Sequence, residues 1–217
     1  MKPLTFSGED EIVEALKRTP WESSLDEDHG KLEIDLGPLT AIYHSVSSST
    51  YRAFRKNGNT LPSVVFRTWA SEQMYNGAFA KLEAIRSNGE YRDWAFGLGR
   101  RLDAEWRKRL RYSLELPRAL KLVNLLAKGL CAVSPLWPKK YKDIAPNIDI
   151  PLDKFSLRPL ACIKSLTYLK LHKASMGSIK TRKDYTKVQN IIRELCKRAY
   201  VPPIAYDYLT WNATHTK

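Results

Sequence analysis

Apolar residues recur every three or four positions along most of this chain, and the clearest stretch lies near its middle. Leu120, Val123, Leu126, Ala127 and Leu130 share one stripe of a helix. Pro117, which lacks an N–H, suits that helix's first turn. Lys121, Leu125 and Lys128 follow a 4,3 spacing on a different face. Further helices are predicted over Ile12–Leu16, Tyr51–Arg55, Pro62–Asn76, Ala78–Arg86, Arg100–Tyr112 and Lys183–Arg198. Another is predicted over Lys154–Leu171, with a kink or a late start at Pro159. Pro202-Pro203 sets off a last helix carrying Asp207 and Trp211, while Asn88-Gly89 and Gly97-x-Gly99 read as breaks. Leu32, Ile34 and Leu36 alternate with Lys31, Glu33 and Asp35 at strand period, and a second short strand through Ala41–Tyr43 leaves room for a small N-terminal β-hairpin. The expected fold class is mainly α, with two helical lobes and a cleft between them. Residues 1–60 form an N-terminal segment and 61–217 a helical core, both within one compact domain.

Length and composition narrow the class. A chain of 217 residues can bury one sizeable core, and 43% hydrophobic content with six Trp and eleven Tyr describes a globular protein. No apolar run has the length of a membrane span and MKPLTFSGEDE has no apolar signal core, so no membrane contact and a cytoplasmic location are expected. Cys131, Cys162 and Cys196 lie far apart within apolar helical patterns and read as buried thiols of a reducing compartment. Without a CxxC or a Cys/His cluster, neither a metal site nor a cofactor is expected. No motif sets the oligomeric state, and a monomer is the simpler expectation. Charge separates the chain into two parts. The net is +13, and residues 100–199 carry 24 Lys+Arg against 8 Asp+Glu, whereas the remainder carries 12 against 15. A basic half beside a mildly acidic one fits a protein that lays one face on a polyanion, double-stranded DNA above all.

Two segments carry candidate chemistry. Asp153 in IPLDKFSL occupies the N-cap position of a helix starting at Lys154, and capping alone would explain an aspartate there. A lysine at the position of Lys121 is equally often a snorkelling surface residue. Taken together, Lys121 on its helix followed by Ile150-Pro151-Leu152-Asp153 resembles the pattern of the helix-hairpin-helix DNA glycosylases, closest to the archaeal 8-oxoguanine glycosylase branch and bacterial proteins of that fold. PPIAYDYLTW is similar to that branch's closing element at Pro202, Pro203, Asp207 and Trp211. The resemblance spans roughly residues 115–212. The apolar-Pro-Gly-x-Gly hairpin is absent, and Leu116-Pro117-Arg118 stands in its place.

The resemblance implies an enzyme that flips a modified base into a cleft and excises it, in repair or in defence against modified foreign DNA, with associated lyase chemistry where an amine is the nucleophile. It assigns Lys121 as nucleophile and Asp153 as the carboxylate that stabilises positive charge on the sugar. Lys128, on the face of Lys121, is the rival nucleophile or a phosphate contact. Asp207 and Trp211 would read the base, by hydrogen bonding and stacking. Leu125 replaces an aromatic and Phe155 a second acid of the branch, so the base pocket is expected to differ and 8-oxoguanine is not assumed. Arg100, Arg101, Lys139, Lys140 and Lys183 are expected on the DNA backbone. The competing expectation is a non-enzymatic nucleic-acid-binding protein, whose basic helices and aromatics only grip phosphates and stack bases.

Overall fold

Helix α1 (Glu9–Lys17) buries Ile12, Val13 and Leu16 and keeps Glu9, Asp10 and Glu11 in its first turn, where the helix dipole favours negative charge. In this computed structural model, residues 3–24, 26, 38–54, 60–132 and 141–215 are described. They are mainly α-helical, and no strand occurs among them. The predicted strand at residues 32–36 lies outside the described residues. Its proposed partner does not form: Ala41–Tyr43 belongs to helix α2 (Pro38–His44). Thr40, Ala41 and Ile42 are all buried there, which a strand with one wet face would not allow.

Helices α3 (Ser48–Ala53), α4 (Pro62–Tyr75) and α5 (Ala78–Ala84) follow; α4 and α5 end within two residues of their predicted spans, and α3 starts three residues earlier than predicted. The Ser47 side chain caps α3 by accepting from the Thr50 N–H. The next helix departs from expectation. Helix α6 (Asn88–Leu110) runs through Gly89, Gly97 and Gly99 without a break. Packing explains Gly99, because a Cβ there would lie 3.3 Å from Leu116 Cδ1 and 3.4 Å from Leu120 Cδ2 of the following helix. The glycine thus trades helix propensity for a close approach of two helices.

That following helix, α7 (Leu116–Cys131), is buried along most of its circumference, including the polar Lys121 and Asn124. Asp103 of α6 ties the connection by accepting from the backbone N–H groups of Leu114 (2.7 Å) and Glu115 (3.2 Å) and from the Ser113 hydroxyl. Burial raises the Asp103 carboxyl pKa, but hydrogen bonds from Ser113, Arg107 and Leu114 outweigh it and hold the group below its ordinary value.

After the short α8 (Tyr141–Ile144) and α9 (Lys154–Leu157), the expected long helix does not continue. Pro159 has no N–H to extend the ladder, and the chain passes instead into 3-10 turns at Arg158–Cys162, Lys164–Leu169, Leu171–Lys173 and Met176–Ser178. Helices α10 (Arg182–Arg198) and α11 (Ile204–His215) close the fold. α1 packs on both, and Arg198 of α10 reaches Glu9 at 3.1 Å and also Asp10. One apolar core runs from Ile12 to Tyr208, so the described part of residues 1–60 shares the interior of the later helices.

Cys131 and Cys196 are buried, and burial pushes both thiols up to about 12; Cys162 is only partly covered, contrary to expectation. Among the described residues no helix is long and apolar enough to cross a membrane.

Candidate functional site

The segment before α9 is held in place residue by residue. Asp149, 1% exposed at its side chain, pairs with Arg92 of α6 and Arg193 of α10, each at 3.0 Å. Ile150 is clamped by the Gln189 side-chain amide, which accepts from its N–H at 3.2 Å and donates to its carbonyl at 2.8 Å. Asn124 of α7 donates to the same carbonyl at 2.9 Å and to the Tyr185 hydroxyl at 2.7 Å, and it accepts from the Tyr91 hydroxyl at 2.8 Å. Burial holds the Tyr91 and Tyr185 phenols well above their ordinary pKa, so they serve as neutral hydrogen-bonding groups. A fully satisfied polar network of this kind fixes one geometry in an otherwise apolar core. It presents Asp153 to α7.

Asp153 divides its carboxylate between two tasks. Oδ1 caps α9 by accepting from the N–H groups of Phe155 (2.8 Å) and Ser156 (3.2 Å), and the Ser156 hydroxyl accepts in return from the Asp153 N–H. Oδ2 accepts from Lys121 Nζ at 2.9 Å, with the two side chains 15% and 10% exposed. The two residues that the sequence places 32 positions apart therefore meet as a largely buried ion pair.

Two turns along α7, Lys128 Nζ donates to Asp207 Oδ2 at 2.8 Å and stands 3.8 Å from the centre of the Tyr208 ring. Trp211, one turn beyond Asp207 on α11, meets Phe155 edge to face, with ring centres 6.1 Å apart and planes at 83°. The Tyr206 hydroxyl donates to the Ser156 carbonyl at 2.9 Å, which binds α11 to α9. Within one turn, Asp153, Phe155 and Ser156 thus contact Lys121, Trp211 and Tyr206.

These groups surround a pocket of about 390 Å³. Lys121, Leu125, Lys128, Asp153, Asp207 and Trp211 all line it, whereas Phe155, expected at the base, does not and meets Trp211 edge to face. Trp211 is 38% exposed and so is a wall of the pocket, not a core aromatic. The opposite wall comes from the turn between α2 and α3, with His44, Ser45, Ser47 and Thr50. Sequence reasoning missed this wall. Its one local signal, the Ser47 cap, marks a helix start but says nothing of what the helix faces. Gly129 lets the wall approach, since a Cβ on it would stand 2.7 Å from Ser45 Cβ.

The expected backbone contacts are placed elsewhere. Arg100 and Arg101 on α6 and Lys183 on α10 are exposed and do not line the pocket, and Arg101 donates to Gln73 at 2.8 Å. Lys139 and Lys140 lie outside the described residues. Lys128, a candidate for phosphate, is paired with Asp207 inside the pocket wall.

No protein-family model, curated protein or solved structure matches this chain.

The chemistry available is that of a lysine amine beside a carboxylate, at the edge of a volume typical of small-molecule sites, roughly 300–1,000 Å³. An indole and a second acid–lysine pair complete the lining.

Proposed function

We propose that the chain is a DNA glycosylase of the helix-hairpin-helix kind, which excises a modified base flipped into this pocket, in repair or in defence against modified foreign DNA. The observation that carries the reading is the 2.9 Å contact between Lys121 Nζ and Asp153 Oδ2 in the wall of an open pocket, in the order expected from the glycosylase pattern. Breaking the N-glycosidic bond spreads positive charge over the sugar, and a carboxylate at its edge stabilises that charge. Lys121 must shed a proton before its amine can attack C1′, and Asp153 Oδ2 already accepts a hydrogen bond from it. The bond's electron pair leaves with the base, which takes up a proton. The aminal so formed at C1′ becomes a Schiff base when its C1′–O4′ bond breaks, the nitrogen losing a proton and O4′ gaining one, and this opens the way to strand cleavage.

A protein that only binds nucleic acid could use the same two residues as a buried ion pair and a helix cap. That reading leaves the open volume beside them, and the half-exposed indole at its edge, without a use. The test is a panel of duplexes carrying single modified bases, assayed for released base, strand nicking and a borohydride-trapped adduct. Release of a base from one duplex, with the adduct lost in Lys121→Gln, supports the enzyme. Tight binding to all duplexes with no base released from any would leave the binding protein.

A further inference from the structure

A second cavity, of about 200 Å³, lies beside α3 and the start of α4 and is lined by Ser48, Tyr51, Arg52, Pro62, Ser63 and Arg67, with Leu61 at its edge. Its chemistry is that of an anion site. Two guanidinium groups line it, no carboxylate does, and neither arginine pairs with a carboxylate among the described residues. Helix α4 is 14 residues long and points its N-terminus here without a side-chain cap. In its first turn Pro62 has no N–H, and Val64 and Val65 both donate to the Leu61 carbonyl. The Ser63 N–H takes no acceptor among the described residues, so a donor with the positive end of the helix dipole behind it is left over.

Independent of the helix end, two polar atoms here are buried and unpartnered. Tyr51 is 6% exposed, and its phenolic oxygen, close to the Arg67 guanidinium, has no hydrogen-bond partner in good geometry among the described residues; Arg67 Nε is in the same condition. Arg67 does staple α2 to α4, with its guanidinium 5.0 Å from the Tyr43 ring centre and Nη2 donating to the Tyr43 carbonyl at 3.2 Å. That role occupies Nη2 and leaves Nε. Buried donors without acceptors are costly, which is why native folds seldom keep them unless a ligand completes the set.

We propose that Ser48, Tyr51, Arg52, Ser63 and Arg67 form a phosphate-binding site, and that the group it takes is a phosphodiester of the strand whose nucleotide enters the neighbouring pocket. The second part rests on the excision reading. Helix α3 links the two places, with Ser47 and Thr50 on the pocket and Ser48, Tyr51 and Arg52 on the anion site. A strand held here would present the adjacent nucleotide to the wall opposite Lys121.

The test uses the full chain and has two arms. In the first, inorganic phosphate is titrated into isotope-labelled protein, and the Ser63 amide resonance should shift with saturation, but not in Arg52→Gln or Arg67→Gln. In the second, the salt dependence of duplex affinity is measured. The double variant should lower the slope of log affinity against log salt by about 0.9, the contribution of one phosphate. A single neutral methylphosphonate near the target nucleotide should weaken the wild type and leave the double variant unaffected. Arg52→Gln alone, which leaves the contacts of Arg67 with Tyr43 intact, replaces the double variant if the latter melts early. A phosphate-dependent shift with an unchanged slope would overturn the strand assignment in favour of free phosphate. No shift at Ser63 and an unchanged slope would overturn the site itself. Neither arm measures base release, so a failed excision assay leaves the result readable.

Discussion

Gly129 and Ser45 face each other so closely that a methyl group on the glycine would lie 2.7 Å from Ser45 Cβ and 3.5 Å from Ala41 Cβ. Two effects compete in Gly129→Ala. Helix propensity favours alanine by about 1 kcal/mol, while overpacking costs typically 1–3 kcal/mol. The clash is with a Cβ and not with the end of a flexible side chain, so overpacking should win. The variant should melt lower than the wild type, and excision should fall further than melting explains, because the wall carrying Ser45 and Ser47 is pushed out. An unchanged melting temperature would show that α2 yields freely.

Lys121 and Lys128 should separate cleanly. Lys121→Gln should abolish excision and the borohydride-trapped adduct while duplex affinity stays within about threefold, since only one of many positive charges is lost. Lys128→Gln should keep the adduct and change which base is released, because Lys128 is the partner of Asp207. The reverse pattern would make Lys128 the nucleophile.

The two tasks of Asp153 can be told apart by substitution. Asparagine caps helices about as well as aspartate, so Asp153→Asn keeps the cap and loses only the charge opposite Lys121; it should melt lower than the wild type for that reason and slow base release severely. Asp153→Ala also removes the cap and should cost a further 0.5–2 kcal/mol or so. Equal activity of wild type and Asp153→Asn would remove the carboxylate from the mechanism.

Trp211→Ala should remove a stacking surface worth roughly 1–3 kcal/mol per base and impair excision more than duplex binding. Its edge contact with Phe155 is at the pocket rim, so melting should change little. A large drop in melting temperature would instead make the indole a structural element.

Acid should weaken the α6–α7 connection through Asp103. Its folded pKa lies below the ordinary value near 3.9, so its stabilisation is complete above that value and is lost as pH falls through the lowered one. Asp103→Ala should therefore be less stable than wild type at pH 7, by about 1.5–3 kcal/mol, and the gap should close toward pH 2. Denaturant melts at both pH values measure it.

Periodicity located the helices because most of them bury one face. It failed where tertiary contact overrides local preference. Gly99 looks like a break until Leu116 and Leu120 are seen to need the space, and the three-residue apolar run at Ala41–Tyr43 is too short to tell a strand from a buried helix. Pro159 carried a warning of a kink or a late start, but the run of 3-10 turns after it follows no simple period. Lys121, Asp153, Asp207 and Trp211 were legible as a set only through motif order; their spacing does not say that they share one pocket. The wall at residues 44–50 was illegible because its link to α7 is a close approach through Gly129, which leaves no mark in either segment alone.

The three contacts made by Asp153, Phe155 and Ser156 have a consequence for how this chain tolerates change in length. Four consecutive positions carry the partner of the candidate nucleophile, the ring contact of the indole and the anchor of the last helix. Inserting or deleting one residue there would rotate the following side chains of the turn by about 100° and break the three contacts together. The 3-10 turns downstream line no part of the pocket. Variation in length should therefore be refused between 151 and 157, whereas between 164 and 178 it should cost stability through the buried Leu166, Leu171 and Ala174 and leave the pocket walls in place.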